Sequence, residues 1–221
     1  MKNEQIKKIA VSAMLTAVAF LVTFCTVGFK VSGFLSLDLK DAVISIISLL
    51  YGPFYGFASV LVVSLIEFAT ISTTGVYGLV MNILSSGTFA LVCGLVYKTK
   101  RNFKGAIIAS VLTVVCVTAV MLLANIFITP LYFQMPTQAV LAMLPTVLLP
   151  FNLFKTIMNA SIMLLVYKPF TTALKKARLV STLDNSKYKV TTKSVVLSVV
   201  ALIFLVLAIF VMLWLGIEVK F

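Results

Sequence analysis

Long apolar runs, broken by short polar or glycine–proline stretches, dominate this chain. The first runs from about Lys8 to Gly28. The second is short, Asp41 to Tyr51, and stops at Gly52-Pro53, a pair that breaks a helix. The third starts at Pro53, where proline is tolerated as a first helical residue, and runs to about Thr70. The fourth covers Val76 to Tyr97, the fifth Gly105 to about Thr129, the sixth Pro145 to about Lys168 and the seventh Ser194 to Ile217. A helix that crosses lipid needs roughly 20 apolar residues. The second and third segments fall short of that. They are expected to form a packed helix pair with its turn near the inner face.

Composition turns the pattern into a class. The chain is 62% hydrophobic and 11% charged, with a mean hydropathy of +1.16; a soluble domain carries about 25% charged residues. Only lipid accommodates that excess, so the expectation is an all-α integral membrane protein in the cell membrane. The first run is long and no small-residue cleavage site follows it, so it is read as a span and not as a signal peptide.

The net charge of +12 would suit nucleic acid if it were clustered on one face. Instead 14 of the 18 basic residues lie before the first span, between spans four and five, or between spans six and seven. If the spans simply alternate, these all fall on one side. Positive-inside logic makes that side cytoplasmic, with the N-terminus inside and the C-terminus outside. The same pattern points to membrane lipid as the charged partner and excludes nucleic acid.

Chemistry-bearing residues are sparse. The chain has no histidine, and Cys25, Cys93 and Cys116 sit within apolar runs without paired spacing. No catalytic set, metal site or disulfide framework is expected. No phosphate-cradling loop is present, so any ATP hydrolysis would belong to a partner.

One stretch does not fit plain lipid burial: Pro150-Phe151-Asn152-Leu153-Phe154-Lys155. A lysine at membrane depth costs about 2.5–3.5 kcal/mol on insertion scales. Three residues apart, Asn152 and Lys155 share one helix face. On the alternating topology they fall in the outer half of span six, level with Asn125 on span five and Asn82 on span four. Three amides and one ammonium suit a flat, neutral ligand with a polar edge. The competing explanations are that the amides bridge helices and that Lys155 snorkels.

Glu67, near the outer end of span three, is an available ion partner for Lys155, Lys30 or Lys40. Asp41 is placed to cap or complement the start of span two. The connection Pro130–Leu144 carries no charge and is read as an outer wall or lid, or as a segment lying along the interface. Small residues Ala10, Ala13 and Ala17 give span one a smooth stripe, suited to close packing within the chain or to docking a partner subunit.

These residues together resemble the riboflavin-specific S components of energy-coupling factor (ECF) vitamin transporters. The resemblance covers about Lys7 to Phe170. Its elements are the Ala13/Ala17 stripe, the loop Phe34-Leu35-Ser36-Leu37-Asp38-Leu39, the Tyr51-Gly52-Pro53 turn, Thr74-Gly75 followed by Asn82, the Tyr97-Lys98 exit and, most specifically, Pro150–Lys155.

The resemblance implies a six-helix ECF S-component bundle that binds riboflavin, or FMN or another flavin analogue, from outside with high affinity. It implies as partners a transmembrane coupling protein and two ABC-type ATPases. Ala13 and Ala17 would dock the coupling protein. Asn125, Asn152 and Lys155 would bond the polar edge of the flavin ring. Leu37, Asp38 and Leu39 in the first outer loop would close over it, and Asn82 and Phe151 would contribute from spans four and six. Phe127, Tyr132 and Phe154 are further candidate walls.

The chain departs from that pattern twice. The stretch Gly78-Leu79-Val80-Met81-Asn82-Ile83 lacks the acid the family often carries there. The seventh segment also falls outside the six-helix plan. The expected organisation is therefore a binding domain over 1–170, a basic cytoplasmic linker over 171–193 and an accessory transmembrane helix over 194–221. Riboflavin is expected as transported ligand and no cofactor is expected. The alternatives are an S component for another vitamin or flavin analogue and, from a different class, a small membrane enzyme. The lack of histidine and of any acid pair weighs against the enzyme.

Overall fold

A computed structural model describes residues 2–26, 30–31, 35–176 and 219–220. The seventh apolar segment and most of the basic linker lie outside the described residues. Among the described residues seven helices follow one another: α1 (Lys2–Thr26), α2 (Lys40–Tyr51), α3 (Pro53–Thr70), α4 (Gly75–Thr99), α5 (Phe103–Phe133), α6 (Thr137–Met143) and α7 (Leu149–Lys176). Three two-residue strands form a small antiparallel sheet, in which Lys30–Val31 pairs with Leu35–Ser36 on one edge and with Val219–Lys220 on the other.

Among the described residues, five helical stretches are long and apolar enough to cross a membrane. Inside lipid the backbone has no water to bond to, and a helix satisfies its polar groups within the segment. The remaining helix, α2, has only 12 residues and at 1.5 Å per residue cannot span about 30 Å. It is shielded instead. Ten of its residues are buried, including Lys40 and Asp41, and it packs against α1, α3, α4 and α7. Its neighbours therefore face lipid and α2 faces protein.

The α2–α3 turn is as tight as the sequence implied. Gly52 has φ of +106°, outside the range most side chains adopt, and Pro53 opens α3. Pro53 also packs on Gly94 of α4 so closely that a Cβ on Gly94 would lie 2.9 Å from the Pro53 Cα.

The segment Pro130–Leu144, read as a wall, a lid or a stretch along the interface, is largely helical, and its Tyr132 and Phe133 line the cavity described below. Helix α5 continues through Pro130 to Phe133, and Gln134 ends it in a left-handed conformation. A three-residue turn leads into α6, which runs through a π-turn (Leu144–Leu148) straight into α7. The π-turn contains Pro145, whose missing N–H removes one ordinary helical bond; the wider turn absorbs the defect. In an apolar setting, a helix with one lost bond costs less than an open connection with many unpaired groups. At its C-terminal end α7 passes through Pro169 to Lys176, six residues into the stretch read as linker.

Candidate ligand site

One end of the bundle holds a cavity with about 170 Å³ open to the centre of a water molecule, room for on the order of ten waters. Strand Leu35–Ser36, the end of α3, the 71–74 turn, the start of α4, the end of α5 and the start of α7 surround it. Asn82, Asn125, Asn152, Lys155 and Phe151 all line it. Four polar residues from three separate apolar segments thus meet at one depth, as their positions along the helices required.

The amides are held in place locally. Asn125 donates to the Met121 carbonyl at 2.7 Å and accepts from the Thr129 hydroxyl at 2.8 Å. Asn152 donates to the Leu148 carbonyl at 2.8 Å, and Thr156 bonds back to Asn152. Each amide nitrogen carries a second N–H. Both residues are buried, so their side chains present fixed donors to the cavity at low ordering cost.

Lys155 is the cation of the site, and Asp38 is its partner. Its Nζ donates to Asp38 Oδ2 at 2.8 Å, with the side chains 10% and 3% exposed. Lys40 extends the network. It lies 3.9 Å from Asp38 and pairs at 2.5 Å with Glu67 Oε2, whose other oxygen accepts from Asn82 at 2.9 Å. Glu67 therefore belongs to Lys40 and not to Lys155. Burial alone would raise the Asp38 carboxyl, but Lys155 and then Lys40 outweigh it and hold it below its usual range.

A residue absent from the sequence reading closes this arrangement. Asn159 on α7 accepts the Ala42 N–H at 2.9 Å and donates to the Asp38 carbonyl at 2.9 Å and to the Lys155 carbonyl at 3.1 Å. It caps α2 from another helix. Leu39 precedes α2 without a side-chain cap, and Asp41 sits buried in the first turn, so capping falls to Asn159 and not to Asp41. The signal was present in the spacing: positions 152, 155 and 159 share one face of α7.

The first loop is folded over the site's flank. Leu35 packs with Phe151, Phe154, Val140 and Leu148, and Leu37 leans on the same cluster. Leu35 and Ser36 reach the cavity, whereas Leu37, Asp38 and Leu39 do not line it. Tyr132 lines it, with its ring 5.8 Å from that of Tyr77 across the opening. Two expected walls are elsewhere: Phe154 is buried beside the cavity in the Leu35 cluster, and Phe127 is 70% exposed on the outer surface of α5. Tyr77, Met121 and Thr129 line the cavity and were not foreseen.

Ala13 and Ala17 lie on the exposed face of α1. The opposite face carries Val11, Leu15 and Ala19 into the core, and Thr16 bonds Ser59 of α3 at 2.9 Å. The small-residue stripe is thus not used for packing among the described residues.

This combination of a short, buried second helix and a polar cavity bordered by Leu35 and Ser36 of the first loop defines a membrane-embedded substrate-binding component. Residues 7–167 match the family described as ECF transporter, substrate-specific component, and the chain belongs to that family. It is similar to the riboflavin transporter RibU of Staphylococcus aureus (strain TCH60), with 27% identity over 180 residues, 78% of this chain and 95% of that one. It is also similar to the riboflavin transporter FmnP of Bacillus subtilis (strain 168), with 27% identity over 173 residues, 74% of this chain and 91% of that one. Among solved structures it matches the S component of a bacterial ECF transporter, with a TM-score of 0.67 and 27% identity, over 77% of this chain and 99% of that one. The chain is a multi-pass membrane protein of a transporter family.

Proposed function

We propose that this chain is the riboflavin-binding subunit of an ECF transporter. It takes the vitamin from outside and depends on a coupling protein and two ABC-type ATPases for energy. The observation that carries the reading is the convergence of Asn125, Asn152 and Lys155 on one cavity with apolar and aromatic neighbours. A flavin ring would gain most of its binding from burial against Phe151, Tyr132 and Met121, and its orientation from the fixed polar groups. Asn125 and Asn152 have an N–H each to offer the heteroaromatic edge, and Lys155 spends one of its three donors on Asp38.

The cavity lies at the outer end in this proposal, with the N-terminus cytoplasmic. The basic residues at the opposite end support that orientation. Strand pairing of 219–220 with Lys30–Val31 supports placing the last residues on the outer side. Ala13 and Ala17, exposed on α1, are the proposed contact for the coupling protein. Leu37, Asp38 and Leu39 act by holding the loop and by pairing with Lys155, and Asn82 acts through Glu67.

The protein purified from riboflavin-containing medium is expected to be yellow and to show flavin absorbance. Added riboflavin should have its fluorescence quenched with a one-to-one endpoint. Colourless protein that quenches nothing, from cells supplied with riboflavin, would refute the ligand assignment.

A further inference from the structure

At the opposite end of the bundle lies a second cavity, with about 400 Å³ open to the centre of a water molecule. It is formed by the start of α1, the α2–α3 turn and the end of α4. Lys7, Lys8, Lys98 and Arg101 line it, against a single acid, Glu4. Among the described residues none of these four cations makes an ion pair. Four unpaired cations around one cavity repel one another unless an anion joins them.

The floor of the cavity adds a second observation. Ser48 is 1% exposed and lines it. Its hydroxyl is buried without a hydrogen-bond partner among the described residues, as is the hydroxyl of Tyr51, which also lines the cavity. The Ser48 hydroxyl packs against Gly56, where an added Cβ would lie 1.8 Å from it; that leaves the Tyr51 hydroxyl at the cavity, and a buried hydroxyl without a partner is uncommon and calls for an acceptor or donor. At the edge, Phe54 is 80% exposed and Leu95 is 54% exposed. The site therefore joins an exposed cationic mouth, formed by Lys7, Lys8, Lys98 and Arg101, to an apolar, lipid-facing rim.

We infer that this cavity holds the headgroup of an anionic phospholipid, with the phosphate among Lys7, Lys8, Lys98 and Arg101 and an acyl chain along Phe54 and Leu95. A free phosphate would use the cations and leave the apolar rim idle; a zwitterionic lipid would bring its own cation into a cluster already positive. A soluble acidic partner would meet the cations but not the lipid-facing side. The placement rests on the proposed orientation, which puts this end at the cytoplasmic leaflet, where anionic lipid concentrates and basic pockets between helices take up headgroups.

The test uses the full chain in lipid nanodiscs whose two leaflets are identical, so its outcome does not depend on orientation in the cell. Discs of phosphatidylcholine doped with phosphatidylglycerol are compared with discs of phosphatidylcholine alone, and lipid carried through detergent extraction is counted by native mass spectrometry. Phosphatidylglycerol should be retained at about one per protein, and inorganic phosphate at millimolar levels should not displace it. The double variant Lys98→Gln/Arg101→Gln should retain at least tenfold less, whereas Lys98→Arg/Arg101→Lys should retain it. Riboflavin quenching should be the same in all three proteins. Equal retention of phosphatidylcholine, displacement by inorganic phosphate, or unchanged retention in the glutamine variant would each overturn the inference. So would a glutamine variant that keeps its lipid but loses the ATPase module on co-purification, which would make the surface a protein contact.

Discussion

Lys155 holds Asp38 and also faces the cavity, so its loss should be read in two currencies. Replacing it with methionine keeps the apolar stem and removes the charge. Asp38, 3% exposed, would then have only Lys40 at 3.9 Å. Breaking a buried pair from one side costs about 3–5 kcal/mol, because a charge is left uncompensated. Asp38→Asn in the same protein removes that charge, while the pairing of Lys40 with Glu67 persists. The double variant Asp38→Asn/Lys155→Met should therefore be more stable than Lys155→Met alone, with a coupling of about 0.5–3 kcal/mol, the range for residues in contact.

Binding should not recover in parallel. If Lys155 donates to the flavin edge, the lost bond is worth about 1.5–3 kcal/mol, or roughly ten- to 150-fold in Kd at about 1.4 kcal/mol per tenfold. The assay is a riboflavin quenching titration on the four proteins of the cycle, paired with thermal unfolding of each. A double variant that regains both stability and wild-type affinity would refute the reasoning. It would make Lys155 a partner of Asp38 only, without a role in reading the ligand.

Two further expectations follow from the packing. Asn159→Ala removes the cap on α2 and the tie to the Asp38 carbonyl, and should lower stability by about 1–2 kcal/mol and speed proteolysis near residues 35–39 in limited digestion. Gly94→Val places branched carbons against the Pro53 backbone, 2.9 Å from the first added atom, and should cost about 1–3 kcal/mol in thermal unfolding with little change in riboflavin affinity; an unchanged melting temperature would show that α3 and α4 can part there freely.

The class and the main elements were legible in the sequence because lipid simplifies the rules. Apolar length reports crossing, and the exceptions stand out. Asn82, Asn125, Asn152 and Lys155 were visible because each interrupts an apolar run, and helical spacing placed them at one end. Partner choice was less legible. Glu67 had three lysines to choose from, and only the packing of α2 against α3 brings Lys40 to it. Asn159 did not stand out in the sequence, because its role as a remote cap depends on where α2 begins and on α7 packing against it. Phe127 and Phe154 illustrate the limit for aromatics: both are near the site in sequence, but a helix turns about 100° per residue, which sends one to the outer surface and the other into the loop cluster. Pro130 misled because proline ordinarily ends a helix, and only the apolar surroundings make continuing the better choice.

The burial of α2 also bears on how the protein is made. A 12-residue helix bearing Lys40 and Asp41 at one end is a poor candidate for entering lipid alone, being too short to span and carrying two charges into it. The compensating groups arrive late: Glu67 for Lys40 with α3, and Asn159 for the start of α2 and Lys155 for the preceding Asp38 only with α7, 117 residues beyond the groups they bind. During synthesis the N-terminal half therefore holds an unfinished seam that the last helix of the bundle closes. The polar cavity and the completed fold become the same event, and a chain stopped before α7 leaves both the seam and the cavity unmade.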